Sequence, residues 1–273
     1  MRFKILGTAA AEGWPGIFCD CAVCRKAREL GGKNLRLRAA YLVGRRVLID
    51  FGPDIYVQSV RFGICLANIT DLLITHSHQD HFCAHELNMR RKGFWAGVPP
   101  APLRIYGNAA VGRKLRQGAE ELELLSVQFV ELEPFRPVSL PDGLEATPIV
   151  ASHAAEEEVA LNFLLCANGR YLLQGNDTGW YPEETWEFLA GKRLSVVVMD
   201  CTCGKRQCGE NHLGIPDVLS VKAKLAEIGC VDEGTRFVAT HFSHNGLLLH
   251  DELVERLEPQ GVEVAFDGME LTW

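Results

Sequence analysis

The sequence predicts an α/β protein in which two β-sheets pack face to face with helices outside. Three observations carry this. Apolar runs of strand length alternate with helical patterns along the whole chain, and glycines and prolines punctuate them. Hydrophobic residues make up 47% of the 273, enough to bury a large core. Two sheets layered beneath helices bury both faces of each sheet. A single domain over residues 1–273, of one piece or of two similar halves, suits this length.

The strand runs are 3–7, 40–43, 47–51, 72–75, 103–106, 127–132, 144–149, 161–165, 171–174, 196–200, 236–240 and 262–265. Helical patterns cover 23–30, 85–92, 109–118, 182–189, 215–228 and 250–257. Pro182 and Pro216 stand where two of these begin, a position at which the missing N–H of proline costs nothing. Several apolar runs end abruptly in polar residues, and such strand-to-loop junctions are where chemistry is expected.

Charged residues make up 23% of the chain, which excludes intrinsic disorder. The formal charge of −7 opposes nucleic acid as a partner. The opening MRFKILGTAA lacks the basic-then-apolar order of a signal peptide, and no apolar run reaches the roughly 18 residues of a membrane span. A cytoplasmic protein without a membrane partner is therefore expected. Ten cysteines in that setting argue against a disulfide framework. Clustered cysteines then read as metal ligands, and the scattered Cys65, Cys83, Cys166 and Cys230 as core or near-core residues.

The strongest local signal is Thr75-His76-Ser77-His78-Gln79-Asp80-His81, directly after the apolar run Asp71-Leu-Leu-Ile-Thr75. The chain has nine histidines, yet three fall in this hexapeptide, which disfavours an ordinary solvated loop. His76 and His78 are two apart, so an extended segment points both to one side. Asp80 and His81 come round on the following turn. The spacing predicts one metal on His76 and His78 and a second on Asp80 and His81. A second cluster, Cys19-Asp-Cys21-Ala-Val-Cys24, lies in a loop at 17–26 and supplies three corners of a tetrahedral zinc site. A redox pair or free thiols are the alternative.

The H-x-H-x-D-H motif resembles that of the metallo-β-lactamase superfamily. The resemblance implies an αββα sandwich of two mixed β-sheets flanked by helices, and a dinuclear metal centre. It implies further ligands at three strand ends: His153 in Ile149-Val-Ala-Ser-His153, Asp177 in Leu173-Gln-Gly-Asn-Asp177 and His241 in Phe237-Val-Ala-Thr-His241. Alone, His153 would read as an ordinary surface histidine. Asp50 in Val47-Leu-Ile-Asp50 matches an aspartate that orients a ligand by hydrogen bond; a turn-capping aspartate is the alternative.

Within the superfamily the chain is similar to the phosphoribosyl cyclic phosphodiesterase (PhnP) family. The C-x-C-x-x-C, Thr240-His241-Phe-Ser-His244 and Phe266-Asp-Gly-Met-Glu270 carry that likeness, with Gly7-Thr-Ala-Ala10, Val198-Met-Asp200-Cys201 and Asn211-His212 between them. It implies a structural zinc on Cys19, Cys21, Cys24 and His244, and two active-site divalent ions, zinc or manganese, with iron also accepted by such ligands. A homodimer is compatible with it. Cys203 and Cys208 depart from the pattern, and read as a further metal or redox site or as free thiols. The acidic stretch Ala154-Ala-Glu-Glu-Glu158 is also longer than the pattern and is placed near the mouth of the site.

The implied reaction is hydrolysis of a small phosphodiester, such as a phosphoribosyl 1,2-cyclic phosphate, by a hydroxide bridging two metals. Asp80 is both a ligand and a catalytic group. His212 is placed to contact the phosphate and act as general acid, although by its residues alone it reads as a loop histidine ahead of the next helix. Two rivals share parts of the pattern: a tRNase Z-like nuclease and a PqqB-like biosynthetic protein. The nuclease would need a basic arm. The basic residues Lys33, Arg36, Arg38, Arg45 and Arg46 read instead as a solvated hairpin, or a phosphate-contacting edge at most.

Overall fold

Alternation along short apolar strands accounts for the layering. The computed structural model describes residues 1–154 and 158–273. Its first six strands are β1 (Arg2–Gly7), β2 (Ala40–Val43), β3 (Val47–Ile49), β4 (Asp71–Leu73), β5 (Leu103–Gly107) and β6 (Val127–Glu131). The next seven are β7 (Val138–Ser139), β8 (Leu144–Val150), β9 (Leu161–Ala167), β10 (Arg170–Gly175), β11 (Leu194–Asp200), β12 (Arg236–Thr240) and β13 (Glu263–Val264). The last, β14 (Glu270–Thr272), returns to pair with β1. The two seven-stranded sheets are ordered β14-β1-β2-β3-β4-β5-β6 and β13-β12-β11-β10-β9-β8-β7. Both are mixed, as expected.

Val47 and Ile49 enter a core shared by both sheets, together with Phe3, Ile5, Ala146 and Phe163. Leu48 between them points the other way, into a second core with Leu72, Ile105 and the helix α3 (Ala109–Gly118). One residue of register decides the face, because side chains alternate along a strand. The outer layers include α1 (Ala22–Leu30), α2 (Ile55–Phe62), α4 (Glu183–Leu189), α5 (Ile215–Glu227) and α6 (His250–Leu257).

Topology gathers the strand ends. β3 and β4 run parallel, as do β10, β11 and β12. β9 is antiparallel to both β8 and β10, so β8 runs with β10. The carboxyl ends of β8, β10, β11 and β12 therefore share one edge. The first sheet's β4 end meets that edge, where the Leu161 N–H donates to Thr75 O at 2.9 Å.

Several sequence expectations need correction. The helix α2 was not legible because its pattern is out of phase: Tyr56, Val57 and Val60 are exposed, and the polar Gln58 is buried, donating to Arg38 O at 2.8 Å. The two-residue β7 and three-residue β14 are too short to show alternation. The helical pattern at 85–92 forms a 3-10 helix, Ala84–Arg90. Cys65 is exposed, while Cys230 is buried. The basic hairpin is not uniformly solvated: Arg36 is buried, and its guanidinium donates to Thr8 Oγ1 at 2.8 Å and Ala265 O at 2.7 Å. Among the described residues, no helix is long and apolar enough to cross a membrane.

Candidate metal centre

The seven side chains that motif and resemblance selected meet at the edge where the strands end. Ligand-capable atoms of His76, His78 and His153 lie within 4.8 Å of one another, and so do those of Asp80, His81, Asp177 and His241. In the first group His78 Nδ1 and His153 Nε2 are 3.3 Å apart. Asp177 stands between the groups. Its Oδ2 lies 2.6 Å from His81 Nε2, 3.5 Å from His76 Nε2 and 3.6 Å from His241 Nε2.

This centre is buried and polar, yet incompletely bonded. His76 Nε2, His241 Nε2 and Asp177 Oδ1 are buried without a hydrogen-bond partner among the described residues. Buried polar atoms are rarely left so, because each costs its desolvation. Three that converge on one space fit divalent cations, for which imidazole and carboxylate are suitable donors. Ionisation agrees. Burial pushes His76 well below its ordinary value. Burial also opposes charge on His81, but Asp80, Asp50 and Asp177 outweigh it and hold that imidazole well above. For Asp177 burial favours the neutral acid, yet His241 and His81 hold it well below the carboxylate range.

Support comes from behind. Asp50, fully buried, faces His81 Nδ1 at 2.7 Å and accepts from Thr75 N–H and Thr75 Oγ1, both at 2.9 Å. It therefore orients a ring as expected of it and is not a mere turn cap. His76 Nδ1 lies 3.0 Å from Thr75 Oγ1. On the second sheet Asp200 takes the matching role, which the sequence reading did not assign. Its Oδ1 accepts from the N–H groups of Thr202 and Leu213, both at 2.9 Å, and its Oδ2 from Asp177 N–H at 3.1 Å. The same Oδ2 lies 3.2 Å from His241 Nδ1 and 3.2 Å from His212 Nδ1. An aspartate ending a buried apolar strand, as Asp50 does, was the signal available.

The backbone is bent to this purpose. Asp50, Asp177 and His241 all have left-handed φ, at 64°, 57° and 60°. Non-glycine residues adopt this region sparingly, and it clusters at functional sites.

His212 covers the outer side. Its Nδ1 lies 3.3 Å from Asp177 Oδ1, and its ring stacks on His241 at 5.8 Å. Burial works against its charge, but Asp200 and Asp177 overcome this and hold the imidazole at about 9. Its neighbour Asn211 contributes a carbonyl 3.2 Å from His153 Nδ1.

The cysteine cluster assembles separately. Atoms of Cys19, Cys21, Cys24 and His244 lie within 4.8 Å of one another, and His244 Nδ1 is 3.6 Å from the sulfurs of both Cys19 and Cys21. Gly16 N–H and Cys24 N–H donate to the sulfurs of Cys24 and Cys21 at 3.3 and 3.4 Å. The Cys24 amide lowers Cys21 to about 6. Burial, with the neighbouring thiols, pushes Cys24 up to about 12. Three such sulfurs are anionic together only with a cation among them, and zinc suits that donor set.

A model of the β-lactamase superfamily domain matches residues 45–242. The chain belongs to that superfamily. The coenzyme PQQ synthesis protein B of Stutzerimonas stutzeri is 24% identical, covering 99% of each chain. A shorter match, 35% identical over 85 residues, is to an octanoyltransferase of Porphyromonas gingivalis; it covers 30% of this chain and 16% of that protein. Among solved structures, a diphosphatase from the PhnP family superposes with a TM-score of 0.77 at 24% identity, covering 100% of this chain and 97% of the other. Zinc-bound PqqB from Methylobacterium extorquens gives 0.74 at 19% identity over 100% of both. These superpositions establish the metallo-β-lactamase fold, a fold whose members bind divalent metals such as zinc.

The centre opens to a cleft of about 390 Å³. Ala10, Glu12, Thr202, Arg206 and Asn245 line it beside the histidines. One departure is resolved: Cys203 and Cys208 are paired in a disulfide, so they are neither free thiols nor metal ligands here. The acidic stretch after His153 lies in large part outside the described residues. Its last residue, Glu158, accepts from Ser77 N–H at 3.0 Å and from Asn108 Nδ2 at 2.6 Å, and so braces the histidine loop.

Proposed function

We propose that this protein is a dinuclear metal-dependent phosphodiesterase that hydrolyses a small, cyclic phosphodiester of the phosphoribosyl 1,2-cyclic phosphate type. One observation carries the reading: two ligand groups converge on one carboxylate, Asp177, with the imidazole of His212 just outside it. His76, His78 and His153 would hold one divalent ion, and Asp80, His81 and His241 the other, with Asp177 between them. Bound there, such a pair activates water near neutral pH and offsets charge on phosphoryl oxygens. The chain's own residues do the rest. Asp50 and Asp200 fix the rings of His81 and His241 by their far nitrogens. His212, anchored by Asp200, is within reach of the leaving oxygen and carries a proton to give it. Cys19, Cys21, Cys24 and His244 would hold a structural zinc away from the cleft.

A small diester suits the cleft better than RNA does. Arg36, in the middle of the basic stretch, is buried and already bonded, so that stretch does not form a continuous basic arm. Likeness to a diphosphatase of the PhnP family supports phosphorus chemistry. A second reading has its own observation: the full-length match to the coenzyme PQQ synthesis protein B, which supports a biosynthetic role instead.

Turnover of bis(p-nitrophenyl) phosphate, beside a phosphomonoester and a thioester, separates these readings when metal content is measured on the same sample. Preferential diester hydrolysis with about three metals per chain is expected from the site count. A fully metallated protein inert toward diesters would overturn the phosphodiesterase reading in favour of the biosynthetic one.

A further inference from the structure

The two halves of the metal centre are supported in different ways. His81 and His241 each meet a buried carboxylate behind the ring, Asp50 at 2.7 Å and Asp200 at 3.2 Å. Behind His76 and His153 stand neutral oxygens instead, Thr75 Oγ1 at 3.0 Å and Asn211 O at 3.2 Å. Asp177 Oδ1, 3.4 Å from His153 Nδ1, is itself one of the ligands. Carboxylate partners hold a ring and raise its basicity more than neutral ones do. The ligands of the second half also come from two separate segments. His76 and His78 flank Ser77 in the loop after β4, and His153 follows β8.

One side chain ties those segments together. Glu158 stands shortly after His153, and its N–H donates to Ala154 O at 3.1 Å, which keeps it beside that histidine. Its Oε1 accepts from Ser77 N–H at 3.0 Å and from Ser77 Oγ at 2.6 Å. Its Oε2 lies 3.1 Å from the same N–H and accepts from Asn108 Nδ2 at 2.6 Å. Hydrogen bonds to an ionised carboxylate are about twice as strong as neutral ones. Asn108 is fixed in turn. Its Oδ1 accepts from Val111 N–H at 3.0 Å and caps α3, and its Nδ2 also donates to Val159 O at 2.8 Å. Farther along α3, Lys114 Nζ donates to Ser77 O. The helix thus grips Ser77 from both sides: directly at its carbonyl, and through Glu158 at its amide and hydroxyl. Fixing Ser77 sets the direction from which His76 and His78 approach, and fixing Glu158 to it sets where His153 stands.

We propose that Glu158 is a positioning residue for one metal only, the ion of His76, His78 and His153, and acts by clamping together the two segments that supply them. The ion of Asp80, His81 and His241 does not depend on it, because Asp50 and Asp200 serve that half. This rests on the dinuclear reading of the centre and not on the identity of the substrate.

Chelator competition on the zinc-loaded chain tests the clamp without turnover. Zinc-edge anomalous scattering from crystals at limiting zinc reads the occupancy of each position. Glu158→Gln keeps the length of the side chain and removes its charge. Circular dichroism stays as in the wild type, and zinc affinity at the His76–His78–His153 position falls by about 10–100-fold, the range for partners that orient metal ligands. Affinity at the Asp80–His81–His241 position and at the cysteine cluster stays the same. Ser77→Ala removes one of the bonds to Glu158 and gives a smaller loss at the same position, about tenfold or less. An acid that merely stabilised the loop would weaken both active-site positions alike. That equal loss, a loss confined to the other position, or no loss overturns the proposal. If Glu158→Gln does not fold, Ser77→Ala decides by the same criterion of a loss at one position. Diester turnover of the wild type is measured on the same samples. A wild type that takes only one active-site ion removes the dinuclear reading and the clamp together. Two ions with a one-position loss in Glu158→Gln, but no diester turnover, remove the phosphodiesterase reading and leave the clamp standing. Diester turnover in the wild type with unchanged zinc affinities in Glu158→Gln removes the clamp alone.

Discussion

The two candidate metal clusters are built on opposite principles. The cysteine cluster draws three of its four groups from one short segment, the loop before α1 and that helix's first turn, with His244 as the distant fourth, 225 residues from Cys19. Its sulfurs are supported by backbone amides. The histidine–carboxylate centre draws on the ends of β4, β8, β10 and β12, and two fully buried aspartates, Asp50 and Asp200, hold its rings from behind. A cluster that only staples a loop to a distant segment can be shaped largely by the ions it gathers. A centre that keeps one face open to a cleft must be held in place before substrate arrives, and it uses buried carboxylates and left-handed backbone to do so.

The comparison is tested most sharply by removing one ligand from the pre-organised centre. His78→Ala should lower diester turnover by about 10³-fold or more, while circular dichroism and the structural zinc stay as in the wild type. A loss of fold in that variant would mean that this centre, too, is a staple. Next in size is His212→Asn. As a proton donor it matters when the leaving group is poor, so turnover of an alkyl or ribosyl diester should drop by about 10²-fold or more. Turnover of bis(p-nitrophenyl) phosphate, whose leaving group needs no proton, should fall far less. Equal losses on both substrates would reduce His212 to a positioning role.

Asp50→Asn probes the support itself. It leaves every ligand present and weakens only the hold on His81, so metal affinity or activity should fall by about 10–100-fold. Asp200→Asn should cost more than Asp50→Asn, because Asp200 contacts two imidazoles and three backbone N–H groups. If both changes were silent, the rings would be fixed by packing alone.

Much of this was legible in the sequence, for identifiable reasons. Ligands in the H-x-H-x-D-H and C-x-C-x-x-C groups are close together, so spacing alone announces them. His153, Asp177 and His241 are isolated residues, visible only because each follows a strand in an order that a known pattern predicts, and His244 only by its spacing from His241. The role of Asp200 is not legible in the sequence because its partners are distant along the chain and come together only through the parallel pairing of β10, β11 and β12. The helix α2 was hidden for the opposite reason: its local pattern points the wrong way, and the Gln58 contact to Arg38 O pins its polar side inward. Cysteine counting excluded a disulfide framework but said nothing of a single pair five residues apart.

On the stapled side, Cys21→Ala should remove one zinc per chain and lower Tm by several degrees, on a scale of about 2–4 °C per kcal/mol for a domain of this size. Diester kcat on the surviving folded protein should stay within a few-fold of the wild type. Full zinc retention in Cys21→Ala would remove the structural-site assignment. A collapse of kcat with the fold intact would show that the two clusters are not independent, the route being His244, three residues from His241.

The smallest effect belongs to a third device, which uses neither ions nor buried carboxylates. The Cys203–Cys208 disulfide closes a small ring in the loop that leads to His212. Cys208→Ser opens that ring but leaves the loop's hydrogen bonds to Leu213, Ile215 and Asp217 in place. Close backbone approaches at Gly204 and Gly214 hold the same loop. Tm should therefore fall by only a few degrees, and kcat on bis(p-nitrophenyl) phosphate should not move. A fall in kcat with the fold intact would mean that the ring positions His212, tying the disulfide to the chemistry rather than to the stability of the loop.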